Sequence, residues 1–437
     1  MFVPDAGGGK ILIRKNVGCI IQINNTNHTM NLTKRLSLLL VLVFVFVANF
    51  KAKSQDTLTN DKYVVVLSMD AFRWDYPKMV YLPNLDSIAS RGVRAEYLKP
   101  AFPTLTFPNH YTLATGLYPD HHGIVMNNFY DDSLGLVYRM GDRSVVEDNR
   151  FYSGEPIWIT AQKQGLKTAS FYWVGSEAPV KGLHPTYWKK YDENISYESR
   201  IDTIISWLQK PEIDRPRLVM CYFDQPDGIG HEFGPVSPEV NTMITYLDSL
   251  VGVFAKKLNA LPIGDKINFI VLSDHGMSAT SSERIIDLST VIKRDWVARS
   301  HGGSPVFVVK AKENCTDSIL SALSLVNNLK AWKTEDLPER FAFGKNPRTM
   351  DILILADNGW SISWGRKKSD YNGGAHGFDN SEKDMQAIFY AIGPDFKRGY
   401  AHPGFEGVDL YSLLAHLLKI KPEKTDGNLL NTIEMLK

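Results

Sequence analysis

Apolar residues in this chain gather into short unbroken runs. Tyr63–Ser68 (YVVVLS), Leu218–Phe223 (LVMCYF), Ile267–Ser273 (INFIVLS) and Ala387–Ile392 (AIFYAI) show no polar alternation, and each leads into polar residues. Such runs predict strands covered on both faces, as in parallel sheets. Between them, Tyr197–Leu208 and Glu239–Leu261 space their apolar positions as amphipathic helices do. Strand alternating with helix predicts an α/β fold, a doubly wound, mostly parallel sheet with helices on both faces. The rhythm breaks from Ser278 to about Asn372, where strand candidates Pro305–Val309 and Asp351–Leu355 flank a helical stretch, Asp317–Asn328. We expect a small α+β subdomain inserted at 278–372, with Gly373-Gly374 as a flexible re-entry point. The main domain then comprises 55–277 and 373–437.

The first 54 residues read differently. From Met30 a basic start (Lys34, Arg35) precedes an apolar run, Leu38–Val47, and small or polar residues around Ala52 to Ser54. This order matches a secretory signal, and the run is shorter than the ~20 residues a membrane span needs. The expectation is a leader at 1–54, translation starting near Met30, a secreted or periplasmic product, and no stable membrane span after cleavage; retention as an anchor is the alternative. Residues 1–54 hold seven Lys/Arg and one Asp, so the remainder carries 42 basic against 47 acidic residues, a net of −5. That balance argues against binding a nucleic-acid duplex, which calls for a basic stripe. The cysteines, Cys19, Cys221 and Cys315, show no disulfide framework, and Cys221 lies within an apolar run as a buried thiol would.

Candidate chemistry sits at the ends of the predicted strands. Asp70 follows the first, Asp227 and His231 follow the second in DQPDGIGHEFGP, Asp274 and His275 follow the third, and His376 stands in GGAHGFDN. Open α/β sheets bind ligands at the carboxyl ends of their strands, so three of these four segments should converge on one crevice. Three carboxylates and three imidazoles suit zinc better than calcium or magnesium, and they divide naturally into two sites of the kind that clamp a phosphoryl group. Taken singly, each Asp reads equally as a turn residue and each His as a packed side chain. Thr106 lies in a Pro-punctuated loop before a predicted short helix, His110–Thr115. Its hydroxyl could cap that helix, or face the helix start as an attacking oxygen.

The ensemble resembles the nucleotide pyrophosphatase/phosphodiesterase family of the alkaline phosphatase superfamily. The resemblance rests on Asp70, TFPNHYTLATGLYP from Thr106, PDGIGHEFGP from Pro226, SDHGM from Ser273, AHGFDN from Ala375, then AIGPDFK and VDLY near the end, spanning roughly 62–420. It implies an alkaline-phosphatase-like fold and hydrolysis of small phosphodiesters or nucleotides with two zinc ions as cofactors. Asp227, His231 and His376 would hold one ion; Asp70, Asp274 and His275 would hold the other together with Thr106. Thr106 would attack phosphorus to give a phosphothreonine that water then cleaves. Asn127 would hydrogen-bond a phosphate oxygen, and Phe107 and Tyr191 would stack a nucleobase.

One departure bears on substrate. Leu105 stands where many members carry Lys, and Asn128 where some do, which weakens the expectation of highly charged substrates such as ATP. The rival readings are a phosphomonoesterase, a lysophospholipase-like phosphodiesterase with an acidic and aromatic choline cage, and a zinc-stabilised binding protein. His110, His121 and His122 are expected to cap or pack, His301, His402 and His416 to be structural, and Trp173 to line the pocket or join the core.

Overall fold

The computed structural model describes residues 61–365 and 367–437; the expected leader lies outside them. Eight strands form the central sheet: β1 (Tyr63–Met69), β2 (Val93–Ala95), β3 (Thr168–Phe171), β4 (Tyr187–Lys189), β5 (Leu218–Phe223), β6 (Ile267–Leu272), β7 (Phe389–Ile392) and β8 (Tyr400–His402). Their order is β8-β2-β7-β6-β1-β5-β3-β4. β1 pairs in parallel with both β5 and β6, so the first predicted strand is the sheet's centre. The unbroken apolar runs are explained by what covers them. Val64 and Val66 of β1 enter one core cluster, while Val65, Leu67 and Met69 enter another on the opposite face. Successive side chains point to opposite faces, so a sheet buried on both sides needs apolar residues at every position.

Four helices matter most for the site: α1 (Thr106–Thr115), α2 (Tyr197–Leu208), α3 (Asp227–Phe233) and α4 (Pro238–Asn259). Ile201 and Ile204 of α2 and Ile244, Leu247 and Val251 of α4 close one face of the sheet. Trp158 and the C-terminal Leu413 and Leu414 close the other. Helix α2 has the bounds expected from its pattern, and Ser196 caps it by accepting from the Ser199 N–H. No helix among the described residues is long and apolar enough to cross a membrane.

Two sequence readings change. Ala387–Ile392, read as one of the parallel strands, becomes β7 and runs antiparallel to β6, with Leu272 opposite Phe389. The chain reaches β7 from the rim that carries His376, so it can only run down the sheet. The outer strands β2, β3, β4 and β8, three or four residues long, offered no apolar run to detect. Gly373-Gly374, expected as a flexible re-entry, belongs to a strand, Gly373–Ala375, paired antiparallel with Ser278–Thr280. Glycine is needed there for close approach: a Cβ at Gly373 would lie 2.1 Å from the His231 carbonyl oxygen, and one at Gly374 2.5 Å from that of Gly230.

Within 278–372 lies a separate antiparallel sheet, ordered Val297–Gly303, Val306–Ala311, Ile352–Ala356, Leu329–Lys333. Its two faces also alternate. Val306, Val308, Leu353 and Leu355 share a cluster with Phe102, Tyr111 and Met126; Val309, Ile352 and Ile354 pack with Ile319 and Leu323 of the helix Thr316–Leu323. Cys221 and Cys315 are free thiols, and burial pushes the Cys221 thiol up to about 12.

Candidate active site

The site forms where the parallel strands end. Asp70 follows β1, and its backbone N–H donates to the Phe223 carbonyl at the end of β5 (2.9 Å). Asp274 follows β6, and its Oδ1 accepts from the Ala71 N–H at 3.3 Å. Helix α3 opens with Asp227 and places His231 one turn on, so the D-x-x-x-H spacing becomes an i,i+4 pair on one helix face, 3.4 Å apart. His376 follows the Gly373–Ala375 strand, whose glycines let it lie against α3; His376 Nε2 is 3.1 Å from His231 Nε2. The His376 and His275 rings stack at 3.9 Å.

Tautomers follow from the backbone. His231 Nδ1 donates to the Gly374 carbonyl (2.8 Å), His275 Nδ1 to Gly276 (2.9 Å) and His376 Nδ1 to Thr104 (2.9 Å). Each bond turns Nε2 inward, the arrangement of metal-ligating histidines. His275 Nε2 then faces Asp274 Oδ2 at 3.1 Å and Asp70 Oδ1 at 3.4 Å. Neither contact is a hydrogen bond. Asp70 Oδ1, Asp227 Oδ1 and Asp274 Oδ2 are buried with no hydrogen-bond partner.

Buried carboxylates without partners carry a heavy desolvation cost. Burial, then Asp274 and Asp227, hold the Asp70 carboxyl well above its ordinary range. Burial raises Asp227 despite His231 and His275. At Asp274 burial also acts upward, but His275 and His110 outweigh it and hold that carboxyl down. Burial followed by His275 and His231 keeps the His376 imidazole far below its usual range, hence neutral and able to ligate. A cation at this place would satisfy the orphaned oxygens and the inward-facing imidazole nitrogens together. Two donor groups meet within 4.8 Å: Asp227 with His231 and His376, and Asp70 with Asp227 and His275. Asp227 is common to both, whereas the resemblance gave it to one. Asp274 stands beside the second through its contact with His275.

Thr106 is the first residue of α1, which thus begins four residues before the expected His110. Pro108 in its first turn costs little, because an N–H there has no intrahelical partner. The N-cap is Leu105, and no side chain caps the helix. Thr106 Oγ1 is free of that duty and lies 3.2 Å from His275 Nε2. Asn127 Oδ1 accepts from the Phe107 N–H at 3.0 Å, which turns its amide N–H groups away as donors. The Phe107 ring meets Tyr138 edge-on at 6.2 Å. Tyr191, 36% exposed, lies 5.0 Å from the Tyr172 ring.

Four residues in these motifs do more than the sequence reading foresaw. His110, expected to cap or pack, is buried beneath the turn that carries Thr106: its Nδ1 lies 3.0 Å from the Thr106 carbonyl and 3.2 Å from Asp274 Oδ2, and its Nε2 2.9 Å from Ser68 Oγ. The Tyr222 hydroxyl donates to Asp70 Oδ2 at 2.6 Å. Trp173 is core, its indole N–H donating to the His110 carbonyl at 2.9 Å. Asn109 stitches the loop that delivers Thr106: its Oδ1 accepts from the Ala101 N–H, and its Nδ2 reaches the carbonyls of Ala101, Pro103 and Leu105. Asn109→Ala strands those buried groups, so we expect a loss of about 2–3 kcal/mol in urea unfolding, with turnover reduced at temperatures where the fold persists.

A centre of carboxylates and imidazoles at the carboxyl rim of a doubly wound sheet, with a hydroxyl at a helix head beside it, defines an alkaline-phosphatase-like α/β protein. The chain belongs to the type I phosphodiesterase / nucleotide pyrophosphatase family, whose pattern it matches over residues 64–379. It is 36% identical over 378 residues to rat ectonucleotide pyrophosphatase/phosphodiesterase family member 3, covering 84% of this chain and 43% of that protein. The chain therefore spans less than half the length of that relative. With mouse family member 7 it shares 36% over 380 residues, covering 84% of this chain and 85% of the relative. Mouse ectonucleotide pyrophosphatase/phosphodiesterase 5, solved as an inactive variant in complex with AMP, superposes with a TM-score of 0.82 at 35% identity, over 86% of this chain and all of that one.

Proposed function

We propose that the chain is a secreted phosphodiesterase that hydrolyses nucleotide-type phosphodiesters using two zinc ions and a phosphothreonine formed on Thr106. The observation that carries this reading is the Thr106 hydroxyl, uncommitted to capping and 3.2 Å from His275 Nε2, beside carboxylate oxygens that lack partners. AMP in the solved relative and the phosphodiesterase names of the relatives support the substrate class. Asp227, His231 and His376 would hold one zinc, and Asp70, Asp274 and His275 the second with Thr106, Asp227 also lying within reach of that second group. When bound, the ions supply positive charge that lowers the hydroxyl pKa and offsets charge on the phosphate. Thr106 Oγ attacks phosphorus in line with the departing oxygen, and water then cleaves the phosphothreonine to regenerate the alcohol. Asn127 donates an amide N–H to a non-bridging oxygen, held at that angle by the Phe107 N–H. Phe107 and Tyr191 flank the nucleobase.

The rival substrates fare less well. Residues 103–128, which include the nucleophile turn, contain no Lys or Arg to meet the extra charge of a monoester. The aromatic group near Tyr191 already encloses an internal cation: the Arg200 guanidinium lies 5.0 Å from the Tyr172 ring and 4.8 Å from that of Tyr197, and pairs with Asp224 at 3.2 Å. A choline headgroup would find those faces taken. The test compares kcat/KM for the p-nitrophenyl ester of thymidine 5′-monophosphate with that for p-nitrophenyl phosphate. We expect the diester to be favoured by about a hundredfold or more; preference for the monoester overturns the assignment.

A further inference from the structure

The hairpin that follows Asn127 carries a basic face beside the nucleophile. Its strands, Asn128–Asp131 and Leu136–Arg139, pair Asn128 with Arg139, Phe129 with Tyr138 and Tyr130 with Val137. Phe129 and Tyr138 stack at 4.8 Å and are buried, so alternation puts Asn128, Tyr130 and Arg139 together on the opposite face. The Met140 N–H bonds the Asn127 carbonyl at 3.0 Å, which ties Arg139 to the residue that would grip the scissile phosphate.

A second element closes on the same face. The strand Val297–Gly303 sets the Arg299 guanidinium 3.4 Å above the Tyr130 ring, with the His301 ring parallel to Tyr130 at 6.3 Å. At Gly302 this strand approaches Met126 so closely that a Cβ would lie 2.8 Å from its side chain. His301, expected to be structural, is held below its ordinary pKa by burial and then by the charges of Arg299 and Arg139. Arg139 is exposed and, among the described residues, is in no ion pair. Among the described residues, the acidic partner of Arg299 is the largely exposed Asp132, at 3.3 Å.

We propose that Arg139 and Arg299 form an anion subsite for a second phosphate of the substrate, beyond the one attacked by Thr106. It supplies from the hairpin and the neighbouring strand the positive charge that Leu105 and Asn128 lack. The ligand class is a nucleoside di- or triphosphate, or another pyrophosphate-linked nucleotide, held by guanidinium–phosphate hydrogen bonds.

This subsite rests on the proposed activity, and the experiment separates the two. Kinetics of the full chain are measured with ATP and with the p-nitrophenyl ester of thymidine 5′-monophosphate, for Arg139→Gln, Arg299→Gln and the double variant. We expect kcat/KM for ATP to fall about tenfold in the double variant, mainly through KM, while the single-phosphate ester changes less than twofold. Equal losses on both substrates, or none on ATP, overturn the subsite but leave the phosphodiesterase standing. If the wild type cleaves neither substrate, the activity itself fails, and calorimetric binding of inorganic tripolyphosphate decides the subsite: weaker binding by the double variant supports it, unchanged binding overturns it. Should the double variant not fold, the exposed single change Arg139→Gln carries the same comparison with a smaller expected loss.

Discussion

Thr106→Ala should lower kcat on a nucleotide diester by on the order of ten-thousandfold while leaving the melting temperature nearly unchanged. The two halves belong together, because they separate the functional and structural readings of this hydroxyl. If Thr106 capped α1, its loss would cost about 1 kcal/mol and leave chemistry intact. The structure assigns the N-cap position to Leu105 and finds no side-chain cap, and alanine is favourable in a helical turn. The hydroxyl instead faces His275, whereas the neighbouring Thr104 hydroxyl is committed to the Phe378 carbonyl. Thr106→Ser should recover part of the rate, since it keeps Oγ and loses only a methyl. Acid-quenched wild-type reactions should yield a phosphorylated peptide containing Thr106 that the alanine variant lacks. Retention of more than a few per cent of wild-type kcat by the alanine variant would refute the assignment.

Much of this centre was legible because parallel-sheet topology turns sequence position into spatial position. An Asp after β1 and an Asp-His after β6 must emerge at the same rim as neighbours, since β1 and β6 are hydrogen-bonded in parallel. The D-x-x-x-H pair was readable once placed on a helix. The unread parts depend on contacts with no local signal. The antiparallel sense of β7 follows from where the chain enters the sheet. The outer strands are too short to show a pattern, and the service of Gly373 and Gly374 is visible only once α3 lies against them. His110 looked like one helix histidine among several; its role under Thr106 depends on Ser68 and Asp274, from two distant strand ends. Asn109 likewise reveals itself only through the loop it ties down. Arg139 and Arg299 lie 160 residues apart in sequence, and it is the fold that sets Arg299 over Tyr130 on the hairpin face that Arg139 shares.

Metal removal is the second large effect, and the geometry specifies its form. Chelation should abolish turnover, zinc should restore it where calcium does not, and the metal-free protein should melt lower by roughly 5–10 °C. Without cations, Asp70, Asp227 and Asp274 leave unpartnered oxygens in one buried space, and protons become the available substitute. The Asp70 carboxyl is held well above its ordinary value by burial and by Asp274 and Asp227. A carboxyl whose folded pKa is raised contributes stability at low pH and loses it as pH climbs through that raised pKa. The gap in melting temperature between metal-loaded and metal-free protein should therefore widen with rising pH, and metal uptake should release protons. Because Asp227 belongs to both donor groups, Asp227→Asn should depress zinc content at both positions, whereas His231→Ala touches one. Elemental analysis of the purified variants reads this directly. Full activity after exhaustive dialysis against chelator, with fewer than one metal ion per chain, would remove the basis for any bimetallic chemistry at this rim.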